Sequence, residues 1–390
     1  MRFSIRNYTQ IAKAALGRSV PVYAHFGVTH RCNLTCKMCG IWRYGNAKEE
    51  LSIPEVRRVA QRMRKIGVAQ VSIGGGEPFA RDDLEDLVQC FLDEGLNTRV
   101  LTNGIGLPLS RIDDLIERGL ENFSISLDSM YPERFDYICE KDGSWDEAVR
   151  TMTHISSRLR GKGMPTINCV VSNLNLHELV NMVHFAKAIG FTVSFLPIEL
   201  LESKDAGVQN WEARFIRYRP EMGLNTQDSP EQVRKRVDEA YEEIIRLKKS
   251  GAPILNSTPY LRASQEYLKT GQFPSKGCDA GRLYFSVAPN GQFTICHRTQ
   301  HQHIHFLDDK FEEYFYSEHY RRKQLLEAGT CEGCMRACWI DTSSMFRTVE
   351  GFFETASLTL KRPTSNPLSY EEAQGWARRE KISIVPESAK

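Results

Sequence analysis

The stretch Val22-Tyr-Ala-His-Phe-Gly-Val-Thr29 runs through His30 and Arg31 into Cys32-Asn-Leu-Thr-Cys36-Lys-Met-Cys39. The first part is β-rich. The second packs three thiols into eight residues at C-x3-C-x2-C spacing, with the next cysteine, Cys90, far away. Iron–sulfur cubanes are usually held by four cysteine thiolates. A loop that offers three leaves one iron without a protein ligand, free to bind a substrate or cofactor. A structural zinc site competes for the same thiols, but it takes four ligands, usually from paired C-x2–4-C units. No fourth ligand stands near this loop in the sequence.

Outward from that stretch the pattern alternates β-rich runs with amphipathic helical ones. Strands are predicted at Val22–Thr29, Gln70–Gly74, Asn97–Leu101, Asn122–Leu127, Thr166–Val171 and Thr192–Pro197. Helices are predicted at Pro54–Lys65, Asp82–Glu94, Leu109–Arg118, Trp145–Leu159 and Leu176–Ile189, with Ser52 as N-cap of the first. Gly67, Gly95, Gly119 and Gly190 follow helix ends, where glycine caps sit. Such alternation predicts an α/β fold with a parallel sheet and right-handed crossovers. The thiol loop then lies at the C-terminal end of a strand, where parallel barrels keep their chemistry.

The remaining segments are less regular. Residues 1–20 read as an N-terminal amphipathic helix with Tyr8, Ile11 and Leu16 on one face. Residues 200–228 form a charged, aromatic-rich insert suited to a lid or a surface excursion. Glu199, Glu202, Arg214 and Tyr218 in and beside it are positional candidates for proton transfer. Ser229–Lys249 reads as a long helix, Pro253–Pro274 as a connector, and residues 360–390 as a loosely attached tail.

The chain has 390 residues, 41% apolar and 26% charged, the composition of a globular protein with one large and one smaller domain. A net charge of +2 gives no global argument for nucleic acid or an acidic membrane. No apolar run spans a bilayer and no secretory h-region opens the chain, so the expected setting is the cytoplasm. Eleven cysteines in clusters, without an export signal, point to metal sites in a reducing compartment. Cys90, Cys139 and Cys169 lie in regular segments and read as buried small apolar side chains.

Over residues 20–200 the chain resembles the radical S-adenosylmethionine enzymes. Gly74-Gly75-Gly76-Glu77-Pro78 follows the second strand, Thr102-Asn103-Gly104 the third, and Ser124, Ser126 and Asp128 lie in or just after the fourth. Glycines let a ligand approach the backbone, and Glu77 offers an acceptor for a cationic amine. The resemblance implies a partial (β/α)6 TIM-like barrel over residues 21–250. It implies a [4Fe-4S] cluster on Cys32, Cys36 and Cys39, with S-adenosylmethionine chelating the open iron. Gly75, Gly76, Glu77 and Pro78 would hold its amino group. Thr102, Asn103, Ser124, Ser126 and Asp128 would face its ribose and carboxylate, and Met38 its adenine. Reduction of the cluster would cleave the cofactor to methionine and a 5′-deoxyadenosyl radical, which takes hydrogen from an unactivated carbon. The protein's task is then positioning and exclusion of water. A flavodoxin- or ferredoxin-type reductant is implied as a partner.

After a connector at 251–276, residues 277–345 carry Cys278, Cys296, Cys331, Cys334 and Cys338, and 346–390 form a C-terminal extension. Pro289-Asn290-Gly291 between two β-rich runs predicts a hairpin, and Phe311–Ala328 a helix. This region resembles the auxiliary-cluster domain of the SPASM/Twitch subgroup. The later cysteines of the SPASM pattern are absent, with Ile340 and Ser344 in their places, so the shorter Twitch form fits better. The resemblance implies one auxiliary cluster, assigned to Cys278, Cys296, Cys331 and Cys334, with Cys338 in surplus. A zinc ribbon is the alternative. Nearby His297, His301, His303 and His305 add possible nitrogen donors, although a solvated polar edge is the favoured reading of them.

The expected function is a radical enzyme whose auxiliary cluster relays an electron. Only 31 residues precede Cys32, too few for a separate leader-binding domain. That slightly favours a small molecule, such as a sugar, cyclitol or lipid precursor, or a peptide docked without such a domain. The alternative substrate is a ribosomal peptide, and the non-enzyme alternative an iron–sulfur or zinc electron-transfer or binding protein.

Overall fold

In the computed structural model, residues 5–17, 20–45, 50–172, 174–198, 230–273, 278–296, 304–331, 333–360 and 367–379 are described. The insert, with Glu199, Glu202, Arg214 and Tyr218, lies outside them, as do His297, His301 and His303.

Strands β1 (Tyr23–Thr29), β2 (Gln70–Gly75), β3 (Asn97–Thr102), β4 (Asn122–Ser126), β5 (Thr166–Val171) and β6 (Thr192–Pro197) are parallel and adjacent in order. Helices join them: α2 (Ile53–Ile66), α3 (Leu84–Asp93), α4 (Leu109–Glu117), α5 (Pro132–Cys139) with α6 (Ser144–Leu159), and α7 (Leu179–Ala188). α2 begins with a Ser52/Glu55 capping box and ends at Gly67 in the left-handed region, φ 106°. Phe26, Val71, Val100, Phe123 and Ile167 are fully buried beneath the helical layer. The opposite, inner face carries Tyr23, His25, Ser72, Arg99, Leu101, Ser124, Ser126, Thr166 and Asn168 by alternation. This is the α/β partial barrel the alternation predicts.

The sheet continues past the predicted six strands. β7 (Tyr284–Val287) pairs in parallel with β1, and β8 (Phe293–Thr294) returns antiparallel to β7, giving an eight-stranded sheet. The predicted hairpin therefore completes the barrel sheet rather than standing in a separate layer. It covers the edge of β1, whose N–H and C=O groups would otherwise be open to pairing.

Four other expectations change. The 253–274 connector contains α9 (Thr258–Thr270), capped by Ser257, after α8 (Pro230–Lys249). The Phe311–Ala328 helix is two, α10 (Phe311–Tyr316) and α11 (Glu318–Thr330), split at Ser317, whose hydroxyl accepts from Tyr320 N–H. α12 (Ala337–Arg347) and α13 (Val349–Leu360) follow, and the tail carries α14 (Tyr370–Arg379). There Ala373 is fully buried and Trp376 meets Phe185 edge-on at 6.3 Å. Finally, α1 (Ile5–Ala15) buries Asn7 and Ala14, with Ile11 partly covered, and leaves Tyr8 and Leu16 exposed.

Candidate active site

The loop after β1 carries Cys32 and Cys36 half-buried and Cys39 exposed. Cys39 N–H donates to the Cys36 carbonyl at 3.0 Å, closing the turn that gathers the thiols. Neighbouring elements hold this loop on four sides.

The glycine segment lies directly beneath. Gly76 N–H donates to Thr29 O at 2.7 Å and Glu77 N–H to Arg31 O at 2.8 Å. A Cβ on Gly75 would collide with the Thr29 carbonyl oxygen, and one on Gly76 with that of Arg31. The close backbone approach that the glycines permit is thus first of all that of the thiol loop itself.

Glu50 forms the second side. Its carboxylate accepts from Thr29 Oγ1 at 2.5 Å and from Arg31 Nε and Nη2 at 2.9 and 3.0 Å. Arg81, almost wholly buried, ties Val28 O and Leu51 O together below it. On the third side, Lys37 N–H donates to Ile138 O at 2.9 Å and Lys37 Nζ pairs with Glu140 at 3.3 Å. Cys139, at the end of α5, hydrogen-bonds Cys36, and this bond together with burial drives the Cys36 thiol far up in pKa. Cys139 thereby touches the site, whereas Cys90 and Cys169 are simply buried.

The fourth side is the turn after β3. Asn103 Nδ2 donates to Asn33 Oδ1 at 2.7 Å, and Asn33 Nδ2 donates to Ile105 O at 2.7 Å. Asn33 and Glu50 carry no expectation in the sequence, and Cys139 is expected there only as a buried small apolar side chain. Their partners stand 19 to 103 residues away, and nothing local marks them.

Glu77 is fully buried. Its carboxylate takes Thr102 Oγ1 and Asn103 N–H, both at 2.8 Å, and Phe79 N–H at 3.2 Å. The side chain expected to meet a cationic amine also joins the β2 and β3 turns. Burial outweighs the three donors and pushes its pKa up to about 7. Pro78 is buried and opens a short 3-10 turn. Asp128 is likewise pushed up to about 7 by burial, and its carboxylate accepts Val170 N–H at 2.7 Å. Ser124 accepts from Arg99 at 2.9 Å inside the barrel. Ser126 remains half-exposed at the end of β4, and Met38 packs with Val170 and Leu174 against Ile138 and Ile198. Of the predicted cofactor contacts, Met38, Gly75, Gly76, Asn103 and Ser126 are half-exposed. Thr102, Ser124, Asp128 and Glu77 are buried and hydrogen-bonded within the protein.

The donor set fits an iron–sulfur cluster. Burial pushes Cys32 up to about 12, with Glu77, Cys36 and Cys39 adding to it. Cys32 and Cys36 are thus neutral thiols that ionise when a metal replaces their protons.

In the C-terminal region, Cys278 Sγ lies 3.1 Å from Tyr284 Oη, and Cys331 and Cys296 act electrostatically on this pair. Cys334 is buried. Cys338, at the start of α12, acts instead on Tyr23 and Tyr260. His305 is committed to the hairpin turn, with Nε2 2.7 Å from Asn290 O. Among the described residues no three His, Cys, Asp or Glu side chains stand close enough to hold a single metal ion. Among them, too, no helix is long and apolar enough to cross a membrane.

Residues 27–186 match the Radical SAM superfamily. A PqqA peptide cyclase of Rhizobium meliloti is 28% identical over 70% of this chain and 66% of its own length. One from Ruegeria pomeroyi is 31% identical over 42% of this chain and 43% of its own. The chain thus spans less than two thirds of the length of these curated relatives. GTP 3′,8-cyclase 1 of Mycobacterium tuberculosis is 29% identical over 49% of this chain and 54% of its own. Among solved structures, Streptococcus suis SuiB bound to precursor peptide SuiA superposes with TM-score 0.58 at 18% identity, covering 84% of this chain and 75% of that one. anSMEcpe with bound AdoMet and Cp18Cys peptide gives TM-score 0.56 at 14% identity, covering 92% and 99%. At these identities the two structures establish likeness of fold.

Proposed function

The chain belongs to the radical S-adenosylmethionine superfamily, and from that premise we propose that it is a peptide-modifying radical enzyme with its [4Fe-4S] cluster on Cys32, Cys36 and Cys39. The observation that carries this reading is the placement of three thiols on one loop, at the C-terminal end of β1, beside a polar barrel interior. When bound, the cluster and S-adenosylmethionine supply a 5′-deoxyadenosyl radical able to take hydrogen from carbon.

The chain's own residues do the positioning. Met38, with Val170 and Leu174, offers apolar packing for adenine. Asn103, Ser126 and the backbone of Gly75 and Gly76 face the polar parts of the cofactor. Half-exposed His25, Leu101 and Asn168 line the interior where a substrate side chain would enter. Arg99 closes the floor, bonded to Ser124, Thr166 and the carbonyls of Phe123 and Met164. We assign an auxiliary cluster to Cys278, Cys296, Cys331 and Cys334, and re-reduction to a cytoplasmic flavodoxin- or ferredoxin-type donor.

The resemblance to PqqA peptide cyclases moves the substrate reading from small molecule to peptide. The GTP cyclase match keeps a nucleotide as the second reading. Anaerobically reconstituted protein with dithionite and S-adenosylmethionine should release 5′-deoxyadenosine, and Cys36→Ala should abolish it. Release should rise with a short peptide encoded beside the gene, whose mass should change. Stimulation by GTP and by no such peptide would reverse the substrate reading. No release at all would overturn the enzyme.

A further inference from the structure

We propose that Asn33 and Asn103 form an amide latch that presents an N–H donor to the Cys32 sulfur and so sets the reduction potential of the cluster. The inference rests on the assignment of Cys32, Cys36 and Cys39 as cluster ligands and goes beyond it.

The orientation of each amide is fixed by a backbone partner, which removes the usual ambiguity between oxygen and nitrogen. Asn103 Oδ1 accepts Ile105 N–H at 2.8 Å, so its Nδ2 must face the other way. Asn33 Nδ2 donates to Ile105 O at 2.7 Å, so its Oδ1 faces Asn103. The two side chains then meet, Asn103 Nδ2 donating to Asn33 Oδ1 at 2.7 Å. That bond uses one of the two hydrogens on Nδ2. The nitrogen itself lies 4.0 Å from Cys32 Sγ, within reach for its second hydrogen. Every donor and acceptor of the ring has one consistent role.

The arrangement also handles the change in charge at sulfur. Cys32 Sγ lies 3.9 Å from Asn33 Oδ1, an acceptor for the neutral thiol's proton. Once a metal displaces that proton, a bare carbonyl oxygen beside a thiolate would repel it. Asn33 Oδ1 is already occupied by the Asn103 amide, and the Asn103 N–H supplies the attraction instead. Hydrogen bonds to the sulfurs are among the main controls on cluster potential. A donor to Cys32 stabilises the reduced, more electron-rich cluster and raises its potential, so a given reductant delivers the electron more readily. Asn103 acts through Cys32 and Asn33 through Asn103, so both are positioning residues.

The test is a potentiometric titration of the full reconstituted chain without S-adenosylmethionine, followed by electron paramagnetic resonance. A Cys32→Ala/Cys36→Ala/Cys39→Ala chain provides the spectrum to subtract for any auxiliary cluster. Asn103→Ala and Asn33→Ala should each lower the midpoint, equivalent to a loss of about tenfold in the one-electron reduction constant, or ~59 mV. The double variant should lower it no further, because the two residues make one device. Should Asn103→Ala fail to assemble a cluster, Asn33→Ala carries the test, since it leaves the Asn103 donor and its Ile105 anchor in place and removes only the side chain whose oxygen takes one amide hydrogen and steers the other toward Cys32. Unchanged midpoints, with weaker S-adenosylmethionine binding alone, would overturn the latch. Absence of any cluster signal attributable to the three cysteines in the unmodified chain would overturn the ligand assignment on which it depends.

Discussion

At the scale of single residues, Glu77 has a measurable signature. Its carboxyl is held up to about 7 in the folded chain, against an ordinary value of 4.5. The folded state therefore binds a proton that the unfolded state has released between these two values. Stability falls with pH wherever the native state binds more protons. The Glu77 contribution is present in full below about pH 4.5 and is lost as pH rises to about 7, at a cost on the order of 3 kcal/mol. Asp128, also held up to about 7, acts in the same direction. Thermal unfolding of the metal-free protein should give a midpoint that declines from pH 5 to pH 7.5. Glu77→Gln, which cannot titrate, should shallow that decline. An undiminished slope in the variant would place the proton elsewhere. The need for this carboxylate is not legible in the sequence: Gly74–Pro78 marks a site, but only the fold shows Glu77 gripping Thr102 and Asn103.

At the scale of elements, the barrel was readable because strands and helices differ in period and the glycines punctuate them. Gly67, Gly95, Gly119 and Gly190 all have positive φ where the sequence placed helix ends. α9 is hidden in the sequence because Arg262, Glu266 and Lys269 interrupt its apolar residues and two of its buried positions, Ser264 and Gln265, are themselves polar, so the buried stripe of Tyr260, Leu261, Tyr267 and Leu268 does not stand out. α14 was missed because proline and polar residues frame it, although Ala373 and Trp376 seat it on the barrel helices. The glycine turn provides the sharper test. Gly76→Ala would drive a methyl group into the Arg31 carbonyl, a backbone atom that cannot swing aside. Gly375→Ala, inside α14, meets nothing within 4 Å. The first should cost about 1–3 kcal/mol or more by overpacking and reduce iron bound per chain. The second should be neutral or stabilising by up to ~1 kcal/mol, since alanine is the better helix former. Denaturant unfolding with iron quantitation separates them, and equal behaviour would mean the loop–turn contact is slack.

At the scale of the whole molecule, the decisive feature is that β7 is hydrogen-bonded to β1, the strand that carries the thiol loop. Tyr23 pairs with Tyr284 and Phe26 with Val287, and both N–H groups of Val22 and Tyr23 reach Leu283 O, at 2.7 and 3.1 Å. The C-terminal cysteines thus hang on the same sheet as the first three, through an aromatic core in which Phe293 meets Phe311 at 5.1 Å and Phe306 meets Phe311 at 4.5 Å. A chain cut after residue 276 would bare the β1 edge and the apolar face of Phe285, so it should aggregate or unfold rather than yield a free barrel. Point loss of one thiol is a different perturbation. Cys334→Ala removes a buried side chain of modest volume, leaves β7 and the aromatic core in place, and should cost roughly 1–2 kcal/mol. It should therefore retain 5′-deoxyadenosine release while losing most substrate turnover, if Cys334 holds an auxiliary cluster used after hydrogen abstraction. Sedimentation of the truncated chain and deoxyadenosine yield of the point variant read the two effects apart. A soluble, cluster-bearing fragment 1–276 would show that the shared sheet is dispensable. Loss of deoxyadenosine release in a folded Cys334→Ala chain would show that the two cysteine groups serve one centre.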